Sequence, residues 1–270
     1  MKITFLGGGN MASALIGGLL KQGFEAGDLQ VAEIYESARE RLVQDFGVRA
    51  VAGLDPTALA CDVLVLAVKP QQMREALAPV AGQLGAQLVI SIAAGLRLAD
   101  LSRWLGGHAL LVRAMPNTPA LIGQGMTGLF AAAAVSAAQR ETVSRILAAV
   151  GESVWVDDES LIDAVTAVSG SGPAYVFHFI EALEQGGVKL GLPAEVARKL
   201  AIRTLVGASA LADASPESPA ILRERVTSKG GTTAAALGCM AEGGFLPLIE
   251  RALDAAAKRG AELGDQLGKD

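Results

Sequence analysis

The sequence has few of the residues that build disulfide frameworks or nucleic-acid surfaces. Its 270 residues include two cysteines, Cys61 and Cys239, which lie far apart and in no metal-ligand spacing. This usage favours a reducing compartment and predicts no metal site. The net charge of −5 leaves no basic excess to neutralise phosphates, so we expect no nucleic-acid partner. With 51% hydrophobic and 19% charged residues, the chain has the composition of a globular protein.

A long uncharged stretch, residues 114–139, is the segment that comes nearest to a membrane span. Because Pro116, Asn117 and Pro119 interrupt it, it cannot form one continuous apolar helix. Met1 leads directly into strand-like sequence, so no signal peptide is predicted. We therefore expect a soluble, cytoplasmic protein that has no membrane partner.

The first half of the sequence alternates strand-like and helical segments. The predicted strands are KITFLG, LQVAEI, VLVLAV, LVISIA, ALLVRAM, MTGLFAA and SVWVDD. The predicted helices are MASALIGGLLKQG, SARERLVQDFG, PQQMREALAPVAG, LADLSRWLGG and SAAQRETVSRILAAVG. This alternation is typical of βαβ units around a parallel sheet that is buried on both faces. It predicts an α/β Rossmann-type domain over residues 1–157.

The second half of the sequence contains no convincing strand. Helical segments follow one another over residues 158–270, and Pro193 and Pro247 stand where helices begin. Several segments, such as AYVFHFI, are apolar nearly all round, and a helix of this kind has to be buried. Because a bundle of this size has a limited interior, we predict an all-α domain that a second subunit covers.

A glycine-rich turn, within ITFLGGGNMASAL, joins the first predicted strand to the first predicted helix. Gly7, Gly9 and Ala12 have the G-x-G-x-x-A spacing of dinucleotide-binding turns. The motif alone is a weak signal, but it stands where a dinucleotide-binding fold uses it. Gly7 would permit the tight turn, Gly9 the approach of a pyrophosphate, and Ala12 the packing of the helix on the strand.

Glu33 stands at the end of the second predicted strand, 24 residues after Gly9. A carboxylate at this position binds the 2′-hydroxyl of the adenosine ribose and repels a 2′-phosphate. Arg39 and Arg41, in the following helix, could instead meet such a phosphate. The sequence therefore favours NADH as the cofactor and leaves NADPH open.

The sequence offers only two histidines as proton donors beside a nicotinamide, His108 and His178. We expect His108, in the turn LGGHALL, to be exposed, and His178, in the apolar helix AYVFHFIEAL, to lie in the core. A cyclic imine fits a site without an obvious acid, because its basic nitrogen is easily protonated. The protein then has to orient the substrate, exclude water and bind a carboxylate.

Two stretches of the helical half could bind such a carboxylate. In SGSGPAY, residues 169–175, Pro173 would begin a new helix and leave the N–H groups near Ser171 and Gly172 free. In SKGGTTAAAL, a second helix start is predicted at residues 230–233. Both are candidate anion sites, although Ser, Thr and Gly are also common in ordinary helix caps.

Taken together, these motifs resemble the pyrroline-5-carboxylate reductase family. The similarity runs nearly end to end, through FLGGGNMASALIGGL, LAVKPQ, SIAAGL, MPNTPA, LIDAVTAVSGSGPAYVFHFIEAL, GGVKLGLP and VTSKGGTT. The resemblance implies a Rossmann domain followed by a helical domain, residues 158–270, that binds the substrate and forms interlocked homodimers or larger assemblies. It also implies that NADH or NADPH reduces 1-pyrroline-5-carboxylate to L-proline, the last step of proline biosynthesis.

The resemblance further implies a set of site residues. The catalytic residues would be Thr233, Ser171 and Glu159, with Thr233 hydrogen-bonded to the ring nitrogen. The other substrate contacts would be Gly172, Gly230, Gly231 and Thr232. Together with Glu33, the cofactor contacts would come from three turns and from an asparagine near the nicotinamide: Leu6, Gly7, Gly8, Gly9, Asn10, Met11, Ala67, Val68, Lys69, Pro70, Ile92, Ala93, Ala94 and Asn117.

The sequence departs from the family pattern at one pair of residues and at one single residue. Glu33 and Ile34 stand where many relatives have a polar or basic pair, and Arg225 stands where many have Asn. Two other functions remain open. A hydroxyacid dehydrogenase or ketopantoate-type reductase would need a lysine against a carbonyl oxygen, for which Lys189 and Lys199 are the candidates. A dinucleotide-binding sensor without catalysis would have no use for SGSGPAY and SKGGTT together.

Overall fold

One sheet organises the N-terminal part of the chain. The computed structural model describes residues 1–269, and within them the strands are β1 (Ile3–Leu6), β2 (Leu29–Ala32), β3 (Arg49–Val51), β4 (Val63–Leu66), β5 (Leu88–Ser91), β6 (Leu111–Met115), β7 (Gly125–Ala131) and β8 (Gly151–Trp155). Their order is β3-β2-β1-β4-β5-β6-β7-β8. Strands β1 to β6 are parallel, β7 is antiparallel to β6, and β8 is parallel to β7.

The chain winds outward from β1 in both directions, because β1 pairs with both β2 and β4. Ile3 is in register with Leu29 on one side and with Val63 on the other. In a doubly wound sheet, ligands bind at the carboxyl ends of the strands on either side of this reversal. The predicted Rossmann-type α/β fold is confirmed.

Helices cover the sheet on both faces. They are α1 (Asn10–Lys21), α2 (Glu36–Phe46), α3 (Pro56–Leu59), α4 (Pro70–Leu77), α5 (Leu98–Trp104) and α6 (Ala137–Leu147). In α1 the buried residues Ala12, Leu15, Ile16 and Leu19 recur at i, i+3, i+4 and i+7, which is one face of a helix. Burial of each large side chain of this kind stabilises the fold by roughly 1.5–3 kcal/mol.

The buried strands are mostly apolar because each face of the sheet meets its own core. Phe5 and Val65 pack with Leu15 on one face, and Leu66 packs with Met73 on the other. All seven predicted strands are present. The sequence did not predict β3 or α3, which are three and four residues long and too short to show a period of their own.

The C-terminal part of the described chain contains helices and no strand after Trp155. The helices are α7 (Leu161–Val165), α8 (Gly172–Lys189), α9 (Ala194–Ala214), α10 (Pro219–Arg225), α11 (Thr232–Glu242) and α12 (Phe245–Leu267), with a π-helix at Thr166–Gly170. The chain forms two compact units. One comprises Met1–Ser171 and the residues from Ala255 onward, and the other comprises Gly172–Asp254. The domain boundary after residue 157 stays a prediction.

Across the described residues, no single helix has the length and apolar composition to cross a membrane. The pair α11 and α12, bent by 52°, meets the same test of length and composition when the two are taken together. The uncharged stretch over residues 114–139 is not a helix, because it contains the end of β6, the 3₁₀ helix Thr118–Ile122 and β7.

Candidate functional site

Gly7 and Gly9 shape the turn between β1 and α1. Gly7 has a φ of +98°, and a Cβ at this position would lie 2.8 Å from the carbonyl oxygen of Ala67, so a side chain is excluded there. A Cβ at Gly9 would meet nothing within 4 Å. Helix α1 begins at Asn10 without a side-chain cap, so its first N–H groups are available to an anion. This open turn fits a pyrophosphate.

The Glu33 carboxylate lies against the glycine turn. Its Oε2 accepts the N–H of Gly8 at 2.9 Å, and its Oε1 accepts the N–H of Tyr35 at 2.9 Å. Arg39 donates through Nη1 to the carbonyl oxygens of Glu33 (2.9 Å) and Ile34 (2.8 Å). One nitrogen of the Arg39 guanidinium, Nη1, is therefore already bonded to the backbone.

The other predicted cofactor turns lie at the same edge of the sheet. The N–H of Ala67, which follows β4, donates to Leu6 at 2.8 Å, and the N–H of Ile92, which follows β5, donates to Leu66 at 3.1 Å. These bonds place residues 67–70 beside the turn at residues 6–11, and residues 92–94 beside the end of β4. The structure thus brings together most of the predicted cofactor contacts.

Asn117, which follows β6, is held from both sides. Its Oδ1 accepts the N–H of Met126 at 2.9 Å, and its Nδ2 donates to Ser169 Oγ at 3.1 Å and to the Ser169 carbonyl at 3.3 Å. The side chain therefore links the start of β7 to the π-helix that precedes Ser171.

Glu159 takes part in a partly buried ion-pair cluster. Its Oε1 accepts from the N–H of Leu98 at 2.8 Å and from Arg113 Nη1 at 3.3 Å. Arg113 also donates through Nη2 to Asp163 Oδ1 at 3.1 Å. Arg113 was not predicted as a site residue, although a charged residue inside the apolar run ALLVRAM was a signal for it.

The prediction that the Ser171 N–H is free was wrong. This N–H donates to the carbonyl of Thr166 at 2.8 Å, an i to i−5 bond of the π-helix. Helix α8 begins at Gly172, before Pro173. The sequence could not show that a π-helix precedes Ser171 and accepts its N–H.

The second predicted anion site is the start of α11. Gly230 has a φ of +71°, and Gly231 is the N-cap residue, with its N–H donating to Ser228 at 3.0 Å. No side chain caps this helix in the described structure. The N–H groups of Thr232 and Thr233, in the first turn, are therefore the donors that a helix start leaves without intrahelical partners.

The burial and contacts of the remaining candidate residues were not predicted from the sequence. His108 is 8% exposed, with Nε2 at 2.9 Å from the Gln87 carbonyl, whereas His178 is exposed and lies 3.3 Å from Glu181. The expectation for His108 was wrong, because tertiary packing and not local pattern decides its burial, and His178 lies outside the core of the single chain. Lys189 and Lys199 are exposed, and Arg225 forms an ion pair with Glu217 at 2.5 Å.

The fold and the edge of the sheet define a Rossmann-type α/β protein with a dinucleotide-type glycine turn and a helical C-terminal part. Residues 159–263 match the family model described as pyrroline-5-carboxylate reductase dimerisation, and residues 2–95 match one described as NADP oxidoreductase, coenzyme F420-dependent. The chain is 48% identical to the pyrroline-5-carboxylate reductase of Pseudomonas aeruginosa, over 99% of this chain and 98% of that protein. The chain belongs to the pyrroline-5-carboxylate reductase family.

Solved structures agree with this assignment. A pyrroline-5-carboxylate reductase from Coxiella burnetii has a TM-score of 0.92 and 39% identity, with 97% of this chain and 98% of that chain covered. The Plasmodium falciparum enzyme, solved with NADP bound, has a TM-score of 0.84 and 29% identity, with 98% of each chain covered.

Proposed function

We propose that this protein is an oxidoreductase that reduces 1-pyrroline-5-carboxylate to L-proline with NADH or NADPH, the last step of proline biosynthesis. The main support for the proposal is the end-to-end similarity to reductases of this name. The open glycine turn at the end of β1, which fits a dinucleotide, agrees with it. In the balanced reaction, the C=N carbon gains a hydride, the ring nitrogen gains a proton, and the dinucleotide is oxidised.

The proposed cofactor site is the carboxyl edge of the sheet. The turn over residues 6–11 binds the pyrophosphate through the start of α1, and the turns over residues 67–70 and 92–94 flank it. Glu33 binds the adenosine ribose. Because the Glu33 carboxylate would repel a 2′-phosphate and Arg39 Nη1 is bonded to backbone carbonyls, we propose that NADH is preferred to NADPH. When bound, the reduced dinucleotide supplies the hydride.

The proposed substrate residues bind the carboxylate and orient the imine. The N–H groups at the start of α11, with Gly230, Gly231 and Thr232, bind the carboxylate as an anion. The Thr233 hydroxyl hydrogen-bonds the ring nitrogen: its oxygen accepts from the N–H of the protonated imine and so favours protonation there. Ser171 and Gly172 complete the substrate contacts, whereas Glu159, which was also predicted to be catalytic, contacts Leu98 and Arg113.

We also propose that the protein is a homodimer or a larger homo-oligomer in the cytoplasm. Large apolar side chains of the unit Gly172–Asp254 are exposed in the single chain, among them Leu190 (88%), Leu246 (66%) and Phe177 (60%). A surface of this kind is typical of a subunit interface. Cys61 and Cys239 are free thiols, which suits a reducing compartment. Light scattering of the purified protein measures the subunit number.

The direct test is the oxidation of NADH or NADPH, followed by absorbance, when the purified protein receives the pyrroline. Proline formed in equal amount would support the proposal. No turnover with either cofactor would contradict it. A higher kcat/KM for a 3-hydroxyacid than for the pyrroline would favour the dehydrogenase alternative.

A further inference from the structure

Arg113 places a positive charge inside the sheet. Its side chain is 4% exposed, and it stands on β6 between the buried residues Val112 and Ala114. A buried guanidinium is strongly destabilising unless carboxylates pair with it. Arg113 has two such partners, Glu159 and Asp163, both near the start of α7. The charged cluster therefore fixes α7 on β6.

Glu159 connects this cluster to the turn that follows β5. The same oxygen that accepts from Arg113, Oε1, also accepts the N–H of Leu98 at 2.8 Å. Leu98 is the first residue of α5 and stands four residues after Ala94, the end of a proposed cofactor turn. Glu159 thus holds three segments together: β6, the start of α5 and the residues that lead into α7.

The segment held by this cluster ends at Ser171. Helix α7 continues into the π-helix Thr166–Gly170, whose last bond is made by the Ser171 N–H. Asn117 holds its far end through Ser169. Arg113 and Asn117 stand four residues apart, so one stretch of chain anchors both ends of the segment. The position of the Ser171 hydroxyl depends on both anchors.

We propose that Glu159 is a positioning residue, which acts through Arg113 and Leu98 to fix the segment that presents Ser171, and that it transfers no proton to the substrate. This inference rests on the proposed function, because Ser171 is a proposed substrate contact. Its geometric basis is that Oε1 of Glu159 accepts hydrogen bonds from the Leu98 N–H and from Arg113, neither of which is a proposed substrate contact.

Two variants separate positioning from proton transfer. Glu159→Gln retains an oxygen for Leu98 and Arg113 but has no acidic proton, and it leaves the cluster with one positive and one negative charge. Glu159→Asp retains the carboxylate but is one methylene shorter, so it cannot reach both donors. The exposed carboxylate of Glu262, paired with Arg259 at the surface, provides the matched control Glu262→Gln.

We expect Glu159→Gln to retain kcat within about threefold and to leave the pH profile of kcat unchanged, whereas loss of a proton-transferring group costs about 10²- to 10⁴-fold. We expect Glu159→Asp to lower kcat/KM for the pyrroline by about 10- to 100-fold, because a small displacement of a substrate contact is enough to do so. Proline binding, measured by calorimetry, should weaken in Glu159→Asp and not in Glu159→Gln.

The opposite ranking of the two variants in kcat/KM would overturn the inference. If Glu159→Asp equals or exceeds Glu159→Gln in kcat/KM, or if Glu159→Gln shifts the pH profile, Glu159 takes part in proton transfer. Thermal melting checks that each variant is folded. If Glu159→Asp does not fold, the kcat and pH profile of Glu159→Gln decide the question. Absence of turnover in the wild type would overturn the proposed function, and this inference with it.

Discussion

Gly8 donates its backbone N–H to Glu33 Oε2 across 2.9 Å, so the end of β2 is tied to the glycine turn that follows β1. The second oxygen of the same carboxylate accepts from Tyr35. Two hydrogen bonds from the backbone hold the negative charge at one point of the turn. In folds of this kind, the carboxylate at this point contacts the ribose 2′-position, so its charge decides which dinucleotide fits.

Removing the charge of Glu33 should increase the use of NADPH relative to NADH. In Glu33→Ser and Glu33→Gln we expect the ratio of kcat/KM for NADPH to that for NADH to rise by about tenfold or more. The reason is that a 2′-phosphate no longer faces a like charge, and about 1.4 kcal/mol is enough for a tenfold change. Initial rates with each dinucleotide at saturating pyrroline measure the ratio.

Glu36, an exposed carboxylate in the first turn of α2, is the matched control. Glu36→Gln changes the net charge by the same amount but does not touch the glycine turn, and it should leave the ratio unchanged. If Glu36→Gln and Glu33→Gln raised the ratio equally, the preference between the two dinucleotides would depend on long-range charge alone. An unchanged ratio in Glu33→Ser would refute the role given to Glu33.

The two glycines of the turn should respond differently to alanine. Gly7→Ala places a residue at a φ of +98° with its Cβ 2.8 Å from the Ala67 oxygen. The conformation and the overlap together cost about 2–5 kcal/mol, which should lower Tm by about 5–15 °C. Gly9 has a φ of −69° and ψ of −175°, which alanine adopts freely.

Gly9→Ala should therefore leave Tm unchanged while it raises the KM for NADH by about tenfold, because the new methyl group meets the pyrophosphate. Each variant serves as the control for the other, with thermal melting of the apoprotein and steady-state kinetics as the two measurements. A normal KM in Gly9→Ala would contradict the placement of the pyrophosphate at this turn.

Much of the fold was predictable because buried parallel strands are mostly apolar. Runs such as VLVLAV and LVISIA have no other stable place in a chain of this composition. The edge strand β3 and the π-helix were not predictable, since each depends on contacts with distant segments. The same reason explains the two histidines: local pattern cannot show that the His108 ring reaches the Gln87 carbonyl.

The candidate site was predictable in part. The positions of Gly7, Gly9 and Glu33 follow from the order of strand, turn and helix, and the structure places them together at the carboxyl edge of the sheet. The hydrogen-bond partners were not predictable. Nothing local pairs Arg113 with Glu159, which is 46 residues away, and nothing local shows that Arg39 bonds to backbone carbonyls.

The turn that leads into α7 should lose stability in acid. The Ser160 hydroxyl, 2.6 Å from Asp158 Oδ1, and then the Ser160 N–H, at 2.8 Å, lower the pKa of the Asp158 carboxyl below its usual value. A lowered folded-state pKa gives stability that is complete above the ordinary Asp pKa of about 3.9 and is lost as pH falls through the folded value.

Asp158→Ala should accordingly have a lower Tm than the wild type at pH 7, and the two Tm values should converge as the pH falls below about 4. Melting curves at a series of pH values measure this. Asp157→Ala, at the exposed neighbouring residue, is the control. A Tm difference that persists unchanged into acid would mean that the Asp158 charge does not stabilise the turn.

Removing the Thr233 hydroxyl should slow the reaction. A hydrogen bond to a charged group contributes about 1.5–3 kcal/mol, so Thr233→Ala should reduce kcat/KM for the pyrroline by about 10- to 100-fold. Thr233→Ser retains the hydroxyl and should recover most of the activity.

Thr227→Ala provides the control, because the Thr227 hydroxyl donates to the Arg223 carbonyl at 2.6 Å and has no proposed substrate contact. If Thr233→Ala has wild-type kcat/KM, or if Thr227→Ala loses as much, the hydroxyl of Thr233 does not assist protonation of the ring nitrogen.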